Sequence, residues 1–171
     1  MRANAYYEQG RYEEAFPDIF ECIEIAPNNP RYHFLLGNIL LALEKPDIAS
    51  RAYLKAISLN PTDPMFHNNL GIAFEDAGTP EKAMVAYRKA LKLQPNHRAA
   101  QTNFLLLSIQ TDQLDLAEKI LEGIPPKDRE TSTLQCAQLI LRYKETGKKT
   151  FFLRAKEISE SLSTTLTRDA L

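Results

Sequence analysis

Few side chains in this sequence could do chemistry, and two histidines are the clearest candidates. His33 and His67 lie 34 residues apart, and an imidazole can serve as a metal ligand or a general base near neutral pH. Either role would require both rings to reach one ligand or substrate. The residues around the two histidines repeat with the same spacing, so we expect each ring to pack against its own neighbouring helix.

The remaining reactive residue types form no catalytic pattern. Cys22 and Cys136 both occupy apolar helical positions, far apart along the chain, and we expect them to be small core residues that are too distant for a disulfide bond. Glu75 and Asp76 are neighbours in sequence, and consecutive helical residues do not face each other. The sequence has no glycine-rich phosphate loop, His-Glu-x-x-His motif or Gly-x-Ser-x-Gly motif. We therefore predict that this chain is not an enzyme and holds no cofactor or metal.

An internal repeat positions both histidines. Residues 30–63 align with residues 64–97 without a gap, and 12 of the 34 aligned pairs are identical, whereas chance would give about two. A fixed period of this length indicates stacked structural units. The identical pairs are Pro30/Pro64, His33/His67, Leu36/Leu70, Gly37/Gly71, Pro46/Pro80, Ala49/Ala83, Ala52/Ala86, Tyr53/Tyr87, Lys55/Lys89, Ala56/Ala90, Leu59/Leu93 and Pro61/Pro95.

The identical residues are those that a pair of helices needs. A helix of about 14 residues is predicted to follow the first proline of each copy, and Pro46 or Pro80 opens the second, because the fixed φ of proline suits the first helical position. Gly37 lacks a side chain and leaves room for the second helix, whose face of small alanines carries Tyr53 as its one large side chain.

Composition excludes several classes of protein. The 171 residues are 44% hydrophobic and 25% charged, with a net charge of −1, so we expect no nucleic-acid partner, which would need clustered Lys and Arg. No apolar run approaches the roughly 18 residues of a membrane-spanning helix, and the first residues do not resemble a signal peptide. The chain begins inside a repeat, so we expect it to be part of a longer protein, cytoplasmic by default.

The repeat resembles the tetratricopeptide repeat (TPR) family, whose pattern is W-x2-L-G-x2-Y, then A-x3-F, then A, then P. Histidine occupies the tryptophan position in both copies, which the family tolerates. The resemblance implies an all-α, right-handed superhelix of antiparallel helix pairs. The matching residues are His33, Leu36, Gly37, Leu40, Ala49, Tyr53, Ala56 and Pro61 in the first full copy, and His67, Leu70, Gly71, Phe74, Ala83, Tyr87, Ala90 and Pro95 in the next.

The rest of the chain is predicted to extend this stack. We expect an incomplete first repeat at residues 1–29, full repeats at 30–63 and 64–97, and a degenerate repeat at 98–126, where Leu105 replaces the glycine and Pro125-Pro126 ends the second helix early. A helical hairpin at 127–166 is predicted to cap the solenoid.

In TPR proteins the first helices of successive repeats line a groove that binds partners. Asn69 and Asn103 share one groove position, one repeat apart, and resemble the asparagine ladder of O-linked N-acetylglucosamine transferase. Phe34, Leu35 and Leu41 add apolar side chains. The groove positions that the resemblance implies are Arg31, Phe34, Leu35, Asn38 and Leu41, then Met65, Asn68, Asn69, Ile72, Glu75 and Asp76, then Thr102, Asn103 and Leu106.

The function predicted on this basis is a scaffold that binds a protein or peptide segment in its groove. A loose similarity of residues 67–121 to bacterial TPR proteins of pilus-assembly and secretion systems suggests one setting. The carboxylate clamp of chaperone-binding TPR domains is missing, since only Asn38 matches it, so binding of chaperone tails is disfavoured. Two alternatives stay open: a substrate-recruiting arm of a larger glycosyltransferase or methyltransferase, and a module for self-association.

Overall fold

The computed structural model describes residues 1–125 and 132–147, and in that part of the chain it contains helices and turns but no strand. The helices are α1 (Arg2–Glu8), α2 (Tyr12–Ile25), α3 (Pro30–Ala42), α4 (Pro46–Leu59), α5 (Pro64–Asp76), α6 (Pro80–Leu93), α7 (Arg98–Gln110), α8 (Leu114–Glu122) and α9 (Ser132–Thr146). The all-α class and the antiparallel helix pairs are as predicted.

The chain divides into two packing units between Ala100 and Gln101. In the first unit α1 packs on α2, α3 on α4 and α5 on α6, while α2 contacts α3, α4 contacts α5, and α3 contacts α5. Each hairpin therefore covers the apolar face of the one before it, which is how a repeat protein builds a continuous core.

The prolines open helices as predicted. Pro30, Pro46, Pro64 and Pro80 each occupy the first turn of a helix, where the missing N–H needs no partner. Before α3 and α5 the side chains of Asn29 and Asp63 accept hydrogen bonds from the backbone N–H two residues on, at 3.1 and 3.0 Å. These N-caps fix where the first helix of each copy begins.

The glycine of each copy makes the close contact that the repeat predicts. A Cβ added to Gly37 would lie 2.5 Å from the Tyr53 ring, and one added to Gly71 would lie 2.4 Å from the Tyr87 ring. Both tyrosines are fully buried. The glycine of the first helix thus receives the aromatic ring of the second.

The turn inside each hairpin also repeats every 34 residues, which sequence reasoning missed. Gly10, Glu44, Gly78 and Asp112 all have positive φ, between 56° and 72°. After each of them a backbone N–H bonds back to the carbonyl five residues earlier, as from Lys45 to Leu40 at 2.9 Å and from Thr79 to Phe74 at 2.8 Å. This is the Schellman ending of a helix, which favours glycine at the left-handed position.

In the second unit, α8 has nine residues where α4 and α6 each have 14, so the early end of this helix is confirmed. Lys144 of α9 donates to the Ile109 carbonyl at 3.3 Å and pairs with Asp112. The predicted last helix lies outside the described residues. An apolar core joins α7, α8 and α9 and contains Leu105, Ile109, Ala117, Ile124, Leu134, Ala137 and Leu141.

The left-handed turn position gives a stability prediction. Glu44→Gly should raise the free energy of unfolding by about 0.5–1 kcal/mol, because a side chain is strained at this φ and glycine is not. Gly78→Ala, at the equivalent turn of the next hairpin, should lower it by a similar amount. Urea unfolding followed by circular dichroism measures both. A Glu44→Gly variant that is less stable than the parent chain would contradict this account of the turn.

Candidate functional site

The two histidines are parts of the hairpin stack. The Nε2–H of His33 donates to the Pro27 carbonyl at 2.7 Å, and that of His67 donates to the Pro61 carbonyl at 3.0 Å. Both rings are buried. Each histidine therefore ties the first helix of its copy to the proline that ends the preceding copy. The packed, structural interpretation of these residues fits the geometry.

A chain of polar side chains links α4, α3 and α5. The Tyr53 hydroxyl donates to Asn38 Oδ1 at 2.8 Å, and Asn69 Nδ2 donates to the same oxygen at 3.0 Å. Asn68 Nδ2 in turn donates to Asn69 Oδ1 at 3.1 Å. One carbonyl oxygen of Asn38 thus joins the tyrosine of its own hairpin to the amide of the next.

Asn38 keeps unused hydrogen-bonding capacity. Its Oδ1 accepts two bonds, while its Nδ2 donates to no residue among those that the structure describes. An amide nitrogen carries two N–H donors. The half-buried Asn38 therefore offers donors to a ligand at a position that is rigidly held.

Burial controls the protonation of the two tyrosines. Burial raises the pKa of Tyr53 above its usual range, and a hydrogen bond with the Asn69 amide partly offsets this. Burial also raises the pKa of Tyr87, and the hydrogen bond to the Glu75 carboxylate, 2.8 Å from Tyr87 Oη to Glu75 Oε2, raises it further. Both hydroxyls therefore stay protonated and act as donors at neutral pH.

Aromatic packing holds α3 and α5 together beside this network. The Phe34 ring stacks on Phe66 with centroids 4.8 Å apart and tilts against Tyr53 at 5.6 Å. Phe66 is buried and Phe34 is half-buried. Phe34, predicted as an exposed groove side chain, is largely a contact between neighbouring hairpins.

The α3–α5 face, as we call it, consists of the predicted groove residues of α3 and α5 that solvent reaches. Arg31, Met65 and Asp76 are exposed, and the others are half-buried. Solvent reaches all of these positions, and α3 and α5 meet among them where Asn69 donates to Asn38. The members are Arg31, Phe34, Asn38, Leu41, Met65, Asn69, Ile72, Glu75 and Asp76.

Two predicted groove residues do not belong to this face. Leu35 is only 6% exposed and lies in a core with Ala3, Ala15 and Ile19, so its prediction as an exposed apolar residue was wrong. The reason is that α1 and α2 cover this side of α3. Asn68 is 4% exposed and serves the internal network.

The remaining groove candidates lie in the second unit, on α7. Thr102 and Asn103 are half-buried, and Leu106 is 36% exposed. Asn103 has interactions of its own within the protein. Their role as binding residues stays a prediction.

The described residues hold few other groups that could do chemistry. Within residues 1–125 and 132–147, no three His, Cys, Asp or Glu side chains come together as a metal site would require. Cys22 is a half-buried free thiol, and the Cys136 side chain lies outside what the structure describes. No helix in the described ranges has the length and apolar character needed to cross a bilayer.

Comparison with protein families identifies the class. Three sequence models, each described as tetratricopeptide repeat, match residues 1–29, 34–100 and 75–139. The chain belongs to the tetratricopeptide repeat family, and its fold is a TPR helical solenoid. No curated protein sequence matches it.

Several solved structures share this fold. A crystal structure of MamA has a TM-score of 0.76 and 18% identity, covering 95% of this chain and 96% of that one. The first TPR domain of human RPAP3 has a TM-score of 0.63 and 24% identity, covering 66% and 88%. A Thermobaculum terrenum O-GlcNAc transferase variant has a TM-score of 0.65 and 20% identity, covering 71% of this chain but 24% of that one.

The amide network predicts coupled stability changes. Asn69→Ala removes one hydrogen bond between hairpins and should cost about 1 kcal/mol of unfolding free energy. Asn38→Ala should cost more, because it leaves the Tyr53 hydroxyl and the Asn69 amide without their acceptor. The double variant should lose less than the sum of the two, as measured by urea unfolding. Asn4→Ala, on the exposed surface of α1, is the matched control. Strictly additive losses would show that the two amides do not interact.

Proposed function

We propose that this chain binds a segment of a partner protein across the α3–α5 face. The Asn38 side chain carries the proposal: its amide oxygen is fixed by Tyr53 and Asn69, and its two N–H groups donate to no residue in the part of the chain that the structure describes. A backbone carbonyl of an extended segment is the acceptor that such donors suit. Because the amide is already held in place, binding would cost little ordering of the protein.

The rest of the face supports apolar side chains of that segment. Met65 is 50% exposed, and Leu41 and Ile72 are half-buried. Peptide-binding surfaces commonly combine backbone hydrogen bonds for affinity with apolar pockets for selectivity. The combination favours an extended segment, whose side chains point alternately to this face and to solvent.

Structural neighbours support peptide binding as the function of this fold. TPR domains of RPAP3 have been solved with an HSP70 peptide and, for the Spaghetti protein, with an HSP90 peptide. Both of those peptides end in the acidic sequence Glu-Glu-Val-Asp. In this chain Glu75 and Asp76 lie on the same face as Asn38, so a terminal carboxylate would be repelled. We infer that the segment bound here is internal and not acidic.

Four narrower statements stay predictions: a role in pilus assembly or secretion, a role as the recruiting arm of a larger enzyme, self-association, and the absence of a nucleic-acid partner. The protein-binding proposal requires none of them.

Site-directed photocrosslinking in the native host tests the proposal. We would replace Met65 by p-benzoylphenylalanine in the full-length protein, irradiate the cells and identify adducts by mass spectrometry. The expected result is a recurrent adduct with one segment of a partner protein. Val85 is 66% exposed on α6, and the same replacement there is the matched control.

The crosslinked segment would then be synthesised and titrated by calorimetry. Met65→Glu should weaken its binding about tenfold, which corresponds to about 1.4 kcal/mol, whereas Val85→Glu should leave the affinity unchanged. A crosslink at Val85 but not at Met65, or equal losses from the two substitutions, would reject the α3–α5 face as the binding site.

A further inference from the structure

A pocket lies on the side of α3 that is opposite Asn38 and the α3–α5 face. The structure shows an open pocket of about 310 Å³ between α2, α3 and α4. Leu36 and Leu40 form its floor on α3, and at 100° per residue they lie about 160° around the helix from Asn38. The pocket is therefore separate from the α3–α5 face. Its lining residues are Phe16, Phe20, Leu36, Leu40, Lys45, Ile48, Arg51 and Ala52.

Most of the pocket wall is apolar and open to solvent. Phe16 and Phe20 pack edge to face with centroids 5.0 Å apart and form the α2 side. Phe20 is 45% exposed and Ile48 is 50% exposed. Large apolar side chains that stay exposed around a recess are typical of a surface that binds a partner.

Two cations give the pocket its chemical preference. Lys45 and Arg51 line it, both are exposed, and neither forms an ion pair with any residue in the described ranges. The acidic neighbours in sequence are the exposed Glu44, which precedes Lys45, and Asp47, which lies in the first turn of α4 and complements the helix dipole; neither lines the pocket. A carboxylate of a ligand would be the partner that these cations lack.

The pocket reflects differences between two aligned repeats. At the positions equivalent to Leu40, Ile48 and Arg51, the next copy has Phe74, Lys82 and Val85. There the Lys82 ammonium lies 5.7 Å from the centroid of the larger Phe74 ring. Compared with the next copy, the copy at residues 30–63 thus has the smaller Leu40 at the bottom of the pocket, the apolar Ile48 at its rim, and the cation Arg51 in place of a valine.

We propose that this pocket binds one large apolar side chain of a partner protein segment that also places a carboxylate beside Lys45 and Arg51. The apolar side chain fills the recess over Leu36 and Leu40, and the carboxylate pairs with the two cations at the rim. The chain would then carry two binding surfaces of opposite preference, since the α3–α5 face carries Glu75 and Asp76 and disfavours acidic ligands.

Selection from a random dodecapeptide phage library tests the proposal. The library is first depleted on the bare support and then selected on the immobilised full chain. The Leu40→Phe variant, which carries the residue found at position 74 and should fill the pocket, is kept for the binding measurements. The expected peptides carry a Leu, Ile, Met or Phe within two residues of an Asp or Glu. Their affinities are then measured by fluorescence anisotropy with synthetic peptides.

Matched variants assign the bound peptide to the pocket. Leu40→Phe, Ile48→Lys and Arg51→Glu should each weaken binding about tenfold or more, while Arg51→Lys should largely preserve it. Ile48 is half exposed, so Ile48→Lys keeps the test valid if Leu40→Phe does not fold. Lys89→Glu, an equal charge reversal on the exposed surface of α6, should have no effect.

Several outcomes would overturn the proposal. These are the absence of enriched peptides, the enrichment of basic peptides, and a loss of affinity in Lys89→Glu as large as that in Arg51→Glu. Peptides lost with Met65→Glu but not with Leu40→Phe would support the α3–α5 face and reject the pocket. Self-association abolished by Leu40→Phe in sedimentation would assign the pocket to a second copy, and saturable oleate binding with no peptide binding would assign it to a lipid.

Discussion

The packing of a tyrosine ring onto a glycine is the contact that the repeat depends on. In the two full copies the ring occupies the space where a glycine Cβ would stand. At the equivalent positions of the incomplete first repeat, Ala3 and Ile19 lie in one core cluster, and this exchange keeps the summed side-chain volume nearly constant, as protein interiors require. In the degenerate repeat Leu105 and Leu121 occupy both positions and belong to another cluster, with a larger summed volume. In the two full copies a side chain at the glycine position would meet the tyrosine ring, so this pair limits how closely the two helices of a hairpin can approach.

This contact also positions the polar groups of the α3–α5 face. Because the Tyr53 ring is locked against Gly37, its hydroxyl reaches Asn38, and Asn38 in turn binds Asn69 of the next hairpin. Tyr87 is held in the same way and bonds to Glu75 instead. The same tyrosine therefore stabilises the hairpin and orients the side chain that we propose binds a partner.

The sequence predicted the helices and their family well because those features repeat. Pro30, Pro64, Gly37 and Gly71 recur at a fixed interval, and each acts through local geometry. The period alone could have revealed the left-handed turn too, since Gly10 and Gly78 lie two periods apart.

The details of the site were harder to predict. Leu35 is buried because the incomplete first repeat still covers α3, and a single aligned position does not show what covers it. The direction of the Asn69 amide depends on the neighbouring hairpin. The pocket beside Leu40 depends on residues that differ between copies, whereas the repeat is recognised from the residues that are identical in them.

A double-mutant cycle at Gly71 and Tyr87 tests the central claim most directly. Tyr87→Ile reproduces the large residue of the first repeat, and Gly71→Ala reproduces its small one. Gly71→Ala alone should cost about 1–3 kcal/mol of unfolding free energy, because the added Cβ meets the ring. In the Tyr87→Ile background the same change should cost nothing or stabilise the helix, since alanine is the better helix former. Gly123→Ala, where a Cβ meets nothing closer than 3.4 Å, is the control. An equal cost of Gly71→Ala in both backgrounds would contradict the account.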